Sequence, residues 1–268
     1  LDGAAFWLAY AVLFLLEAAT VFTNDVFDRA SDARNEHYGP FTGGSRVLVD
    51  GRLTPRALML AAGACLALAG LALVALFQLS APPFFVTLVV MAALAGLALG
   101  YTLPPVKLSH RGFGELDVAV THSLGVIYAG YVVQHGAIVN ALPVALAMPL
   151  FAAVFAAITL SGVPDYEADR RAGKRTLVVR LGVPVAVWLA GGAAVAAAAL
   201  ATWLHVDKNV EVLAGLEVIA PLHAAWFLWL LAGLLRRRNP GAQRIDGCMA
   251  VGLLYIAWFG LVPLFHLV

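Results

Sequence analysis

Eight stretches of this 268-residue chain are apolar for about 20 residues each, the length a helix needs to cross roughly 30 Å of hydrocarbon. They run near 3–23, 57–79, 82–103, 115–134, 140–162, 183–205, 210–235 and 247–267. Only 12% of the residues are charged and the mean hydropathy is +0.88, so a soluble globule would lack the polar surface to cover itself. The runs are rich in Ala, Leu and Gly, which suits closely packed helices; a barrel would alternate apolar and polar residues. The chain is predicted to be an all-α polytopic membrane protein, a single domain over 1–268 with eight transmembrane helices.

The basic residues are sorted by side. Loops after the first, third, fifth and seventh runs hold Arg29, Arg34, Arg46, Arg52 and Arg56; Lys107 and Arg111; Arg170, Arg171, Lys174, Arg175 and Arg180; and Arg236, Arg237, Arg238 and Arg244. Of the 17 basic residues only Lys208 lies on the other side, and the positive-inside rule makes those four loops cytoplasmic. Cys65 and Cys248 lie in or beside apolar runs without a CxxC spacing and read as packing residues.

The acids are sorted the same way. Asp25, Asp28 and Asp32 close the first run, and Asp165, Glu167 and Asp169 close the fifth. If helix continues through 24–32, Asn24, Asp25, Asp28 and Asp32 fall within an arc of roughly 100° on one face. Asp165 and Asp169, four apart, also share a face. Carboxylates stacked at that spacing repel one another and require a compensating cation. Mg²⁺ suits them, because it takes hard oxygen ligands and commonly binds one or two carboxylates together with substrate phosphate oxygens. The metal-ligating candidates are therefore Asp25, Asp28, Asp32, Asp165 and Asp169. A solvated helix end balanced by arginines is the simpler account of either cluster alone.

Basic residues near both clusters are candidates for holding a diphosphate. Arg46 ends a "GGSR" segment whose glycines let backbone approach an anion; Lys174 and Arg175 follow the second cluster; Lys107 and Arg111 lie in "PPVKLSHRG". A diphosphate site opening into an apolar bundle fits a substrate with a charged head and a long hydrocarbon tail, such as an isoprenyl diphosphate. Phe22, Phe27, Tyr101, Tyr128 and Tyr131 are candidates to line its path.

"NDVFDRASD" at 24–32 resembles the NDxxDxxxD motif, and "DYEAD" at 165–169 the DxxxD motif, of the UbiA superfamily of intramembrane aromatic prenyltransferases. The resemblance runs from near Ala11 to at least Leu181. It implies a bundle around a central cavity, in which Asn24, Asp25, Asp28, Asp32, Asp165 and Asp169 hold Mg²⁺-bound prenyl diphosphate. Loops near 33–56 and 170–182 would form a cytoplasmic cap, with Asp28, Asp165 and Asp169 central to catalysis. The family has nine helices where eight runs are present here, and the one without a counterpart would precede residue 1. The family's Tyr and Lys four residues apart correspond to Tyr101 and Lys107, which are six apart. "FTGGSRVL", "HRGFGEL" and "DYEADRRAGKRTLVVRLG" look most like the 1,4-dihydroxy-2-naphthoate branch that makes menaquinone precursors, whereas "YTLPPVKL" looks more like the chlorophyll and homogentisate branches. The implied partners are a prenyl diphosphate, an aromatic acceptor and the surrounding lipids, with no nucleic acid; 4-hydroxybenzoate, homogentisate, chlorophyllide or a lipid are the other acceptors in view.

Glu17 stands apart from the motifs. It lies eight residues before Asp25, about 12 Å deeper along the helix and near the same face. An ionisable residue inside a membrane marks function by default, so Glu17 is a catalytic candidate that orients or deprotonates the acceptor ring; the alternative is a neutral, hydrogen-bonded packing residue. Asp117 either faces the cavity or pairs with Arg111. His122, Glu217 and His223 have no motif and read as satisfied polar residues of the bundle. A transporter, the competing class, would place its acids near mid-membrane instead of gathering them at one end.

Overall fold

A computed structural model describes residues 1–135, 141–237, 239 and 241–266. Arg238, residue 140 at the start of the fifth expected run and residue 267 at the end of the eighth lie outside the described residues. Every described element is helical apart from one isolated bridge between Gly39 and Thr42.

The first helix, α1 (Gly3–Asp32), begins where the Asp2 carboxylate accepts from the Ala4 and Ala5 amides, at 2.9 and 3.1 Å. It runs without a break through the first acidic motif. α2 (Pro55–Leu79) starts on a Thr54 cap with proline at its first position. α3 (Phe84–Gly100) follows Pro82 and Pro83. The short α4 (Leu108–Arg111) leads to α5 (Gly114–Val120), a π-helical turn (Thr121–Gly125) and α6 (Val126–His135), which together make one apolar span. Next come α7 (Ala141–Ser161), the short α8 (Tyr166–Arg171) and α9 (Leu177–Leu181), and then α10 (Val183–Val206), α11 (Leu216–Leu235) and α12 (Asp246–Phe265).

Seven helices among the described residues are long and apolar enough to cross a membrane. The remaining expected span, the third, near 82–103, is α3, an apolar helix of 17 residues, because the prolines before it and the turn at Tyr101 cut the run short at both ends. The chain is an integral, multi-pass membrane protein.

Packing divides the helices into two groups. Leu16, Leu76, Met91, Leu94 and Ala129 join α1, α2, α3 and α6 in one apolar cluster. The larger cluster joins α7, α10, α11 and α12. Along α10, Ala186, Ala190, Ala194, Ala197 and Ala201 are fully buried, so small residues let neighbouring backbones approach closely. Tyr255 of α12 is also fully buried and its hydroxyl donates to the Ala194 carbonyl at 2.9 Å.

His223 and Glu217 sit as expected for satisfied bundle residues. His223 Nε2 reaches the Val251 carbonyl at 2.9 Å and its Nδ1 accepts from Trp258 Nε1 at 3.2 Å. The Glu217 carboxylate accepts from the Gly215 amide at 2.7 Å.

Ala190→Leu is expected to destabilise the carboxy-terminal group by about 1–3 kcal/mol through overpacking. Thermal unfolding in detergent checks this, against Trp188→Leu on the exposed face of the same helix, which should leave the midpoint in place.

Candidate active site

The uninterrupted α1 carries Asp25, Asp28 and Asp32 to one end of the bundle, and the turn after α7 brings Asp165 and Asp169 to the same end. Between them lies Lys174. Its ammonium is 2.9 Å from Asp28 Oδ2 and 3.3 Å from Asp169 Oδ1, with all three side chains at most 10% exposed. Lys174 thus pairs with one carboxylate of each motif and ties the two motifs together. Burial alone would pull the Lys174 pKa down; the Asp28 and Asp169 carboxylates more than offset this and hold it above the usual lysine range.

The remaining acids are held by the loop that follows α1. The Asn35 amide donates to Asp165 Oδ1, and the Ser45 hydroxyl donates to Asp25 Oδ2. Gly44, at φ +71°, makes that approach possible: a Cβ there would lie 2.7 Å from Asp32 Oδ2 and 3.7 Å from Asp25 Oδ1. Burial and the neighbouring Asp169 push Asp165 up to about 7. Burial likewise raises Asp169. His110 Nε2 stands 3.6 Å from Asp28 Oδ1, and burial lowers its pKa. Asp28 Oδ1 is nonetheless a buried oxygen without a hydrogen-bond partner. Among the described residues no three His, Cys, Asp or Glu side chains converge on one metal position; Lys174 bridges Asp28 and Asp169.

Below this end lies a cavity of about 400 Å³ between α1, α3, the α5–α6 span and Ile158 of α7. Its polar mouth is formed by Asn24, Asp25, Gly44 and Ser45; its walls include Leu13, Leu16, Val21, Leu94 and Ala98; Glu17, Tyr101, Asp117 and His122 also line it. The Asn24 side-chain oxygen Oδ1 accepts from the Thr102 hydroxyl at 2.9 Å. A second, mainly apolar cavity of about 510 Å³ adjoins it, and Leu94 lines both.

The structure does not bring the candidate phosphate-binding cations together around the cavity. Arg46, in the left-handed region at φ +60°, stacks on Tyr38 at 3.8 Å, donates to the Asp32 carbonyl at 2.9 Å and pairs with Asp50. Lys107 lies 5.9 Å from the Phe27 ring centre, and Arg111 donates to the Pro105 carbonyl at 2.7 Å. The Arg175 side chain is exposed, while its backbone amide donates to the His110 carbonyl at 3.0 Å. Asp117 lines the cavity and forms no ion pair with Arg111. Asn35, Ser45 and Thr102 were not singled out by the sequence. Asn35 could have been, since it extends the 25, 28, 32 rhythm by one more step.

Residues 1–246 match the UbiA prenyltransferase family. The chain is 30% identical over 262 residues to a 1,4-dihydroxy-2-naphthoate octaprenyltransferase of Mycobacterium tuberculosis, covering 96% of this chain and 84% of that protein. It is 30% identical over 178 residues to an Escherichia coli protein of the same name, covering 65% of this chain and 56% of that one. An apo UbiA homolog from Aeropyrum pernix K1 superimposes with a TM-score of 0.65 at 19% identity, covering 100% of this chain and 91% of that one. A UbiA homolog from Archaeoglobus fulgidus bound to DMAPP and Mg²⁺ gives 0.57 at 20% identity, covering 97% and 95%. At such identities these two structures share the fold.

Lys174→Gln is expected to cost about 3–5 kcal/mol by leaving buried carboxylates without their cation. Adding Asp28→Asn should cost less than the sum of the two single changes, with a coupling of at least about 1 kcal/mol in a double-mutant cycle read by unfolding in detergent.

Proposed function

The chain belongs to the UbiA prenyltransferase family and is a prenyltransferase, and from that premise we propose that it moves an isoprenyl group from a polyprenyl diphosphate to a dihydroxynaphthoate-type acceptor. The reaction depends on Mg²⁺ and takes place at the cytoplasmic face of a bacterial or archaeal cell membrane, the face that carries 16 of the 17 basic residues. The observation that carries the reading is the meeting of two acidic motifs at the mouth of an apolar cavity. The names of the two curated relatives support the acceptor class.

The donor set suits magnesium. Asp25, Asp28, Asp32, Asp165 and Asp169 present hard oxygens, Asp28 Oδ1 lacks a partner, and pairs of carboxylates are what Mg²⁺ takes when phosphate oxygens complete its shell. When bound, the ion supplies positive charge against the diphosphate that departs from the allylic carbon.

The chain's own residues do the rest. Lys174 holds Asp28 and Asp169 at one place, while Asn35 and Ser45 orient Asp165 and Asp25. Gly44 brings loop backbone against the carboxylates. Loops 33–56 and 170–182 close the polar end, linked where Arg34 Nη1 donates to the Arg171 carbonyl at 3.2 Å. The apolar walls keep water from the allylic centre and take the hydrocarbon tail, and the Tyr101 ring lines the space where allylic positive charge develops.

Transfer from a radiolabelled prenyl diphosphate in membranes tests this, against dihydroxynaphthoate, 4-hydroxybenzoate and homogentisate. Product should form with dihydroxynaphthoate, vanish on chelation of Mg²⁺, and fall at least about 100-fold in Asp28→Ala and Asp165→Ala. Undiminished transfer in both variants would overturn the site, and product with 4-hydroxybenzoate alone would overturn the acceptor. Gly44→Ala should reduce kcat/KM for the prenyl diphosphate about tenfold, since the new methyl displaces Asp32.

A further inference from the structure

The side of the cavity away from the acidic motifs has a chemistry of its own. Glu17 of α1 faces His122 of the π-helical turn, with Oε2 and Nε2 3.6 Å apart, although 105 residues separate them in sequence. The π-helical turn replaces the regular α-helical hydrogen bonding just where His122 meets the cavity. His122 Nδ1–H donates to the Val118 carbonyl at 3.1 Å, which fixes the ring and leaves Nε2 towards Glu17. At 3.6 Å the two groups are in ion-pair contact and too far apart for a good hydrogen bond. Both side chains are about half exposed, 50% for Glu17 and 44% for His122, and both line the cavity, unlike the satisfied His223 in the carboxy-terminal core. With Nδ1 turned to Val118, Nε2 is the ring atom that faces the Glu17 carboxylate.

Charge around this pair narrows what it can bind. The ionisable residues lining the cavity, besides Tyr101, are Glu17, Asp25, Asp117 and His122; no lysine or arginine is among the described lining residues. An acceptor carboxylate directed towards Glu17 would meet anions and one imidazole already paired. A hydroxyl directed there can donate to Glu17 and, where Nε2 carries a proton, accept from His122, bridging the two from the cavity side.

We propose that Glu17 and His122 form a clamp for the acceptor's distal hydroxyl, the one para to the hydroxyl beside the alkylated carbon. The clamp selects 1,4-dihydroxyarenes over para-hydroxy carboxylic acids. The distal hydroxyl is the one within reach, because Glu17 lies about 12 Å along α1 from Asp25, while the reacting ring edge must sit beside the diphosphate. These residues bind and orient the acceptor; bond breaking and bond making take place at the other end of the ring. The clamp rests on the prenyl-transfer reading above.

The test compares 1,4-dihydroxy-2-naphthoate with 1-hydroxy-2-naphthoate, which lacks the distal hydroxyl, and with 4-hydroxybenzoate, at saturating prenyl diphosphate. In Glu17→Gln and in His122→Asn, the preference for the diol over the mono-hydroxy analogue, as a ratio of kcat/KM, should fall at least about tenfold, through acceptor KM. The KM for prenyl diphosphate should move less than about twofold, which marks both variants as folded. The double variant should lose no more preference than the worse single one, because the two side chains act on one hydroxyl. Wild-type transfer with the preference unchanged in both variants would overturn the clamp and leave the proposed function standing. Equal losses for diol and analogue would also overturn it, as the mark of a merely structural pair. Wild-type transfer to none of the three would overturn the acceptor reading and the clamp together.

Discussion

Carboxylates from the end of α1 and from the turn after α7 share a space largely closed to water, and the Lys174 ammonium is what allows them to stay there. Without it, Asp28 and Asp169 would face each other as like charges in a medium of low dielectric. With it, the pair of motifs becomes a joint: an element from each packing group is fixed at one point, and the loop residues Asn35, Gly44 and Ser45 are held against the same carboxylates. A buried ion pair of this kind is a weak source of net stability but a strong constraint on geometry, because breaking one partner leaves a charge with nowhere to go.

The two packing groups divide the work. The carboxy-terminal group is tightly packed around the alanines of α10 and closed by Tyr255 and His223, whose polar atoms are satisfied. The amino-terminal group leaves space: the cavity is bounded by α1, α3 and the α5–α6 span, with only Ile158 entering from α7. The π-helical turn lies on that open side. Rigid packing on one side and an irregular helix on the other give a scaffold that holds a polar mouth still while its apolar interior keeps room for a bulky substrate.

Much of this was legible in the sequence because it follows from composition and period. The apolar runs gave the helices, and the spacing of Asp25, Asp28 and Asp32 placed them on one face of a helix that does continue to Asp32. The shortness of α3 was hidden because hydropathy does not register that Pro82, Pro83 and the turn at Tyr101 end the helix inside its apolar run. The basic residues were harder, since charge alone does not give direction. Lys174 turns inwards to the acids, whereas Arg46, held at positive φ, turns to Tyr38 and Asp50. Glu17 stood out as an acid in an apolar run, but its neighbour His122 did not, because nothing local announces a π-helical turn or a contact across 105 residues.

The Lys174 joint also sets an order of events at the ribosome. Asp28 and Lys174 are 146 residues apart, and at about 5–20 residues per second the acids of α1 are made roughly 7–30 seconds before their counter-charge. Through that interval the acidic cluster lacks Lys174 and is accommodated by water and by the arginines made with it, Arg29, Arg34 and Arg46. Its place at a helix end, rather than deep within the apolar run, lets the first hairpin insert before the rest of the site has been synthesised. The acids therefore belong to a joint assembled late from parts delivered early, and the apolar cavity beneath them is completed only when α7 arrives to close its wall with Ile158.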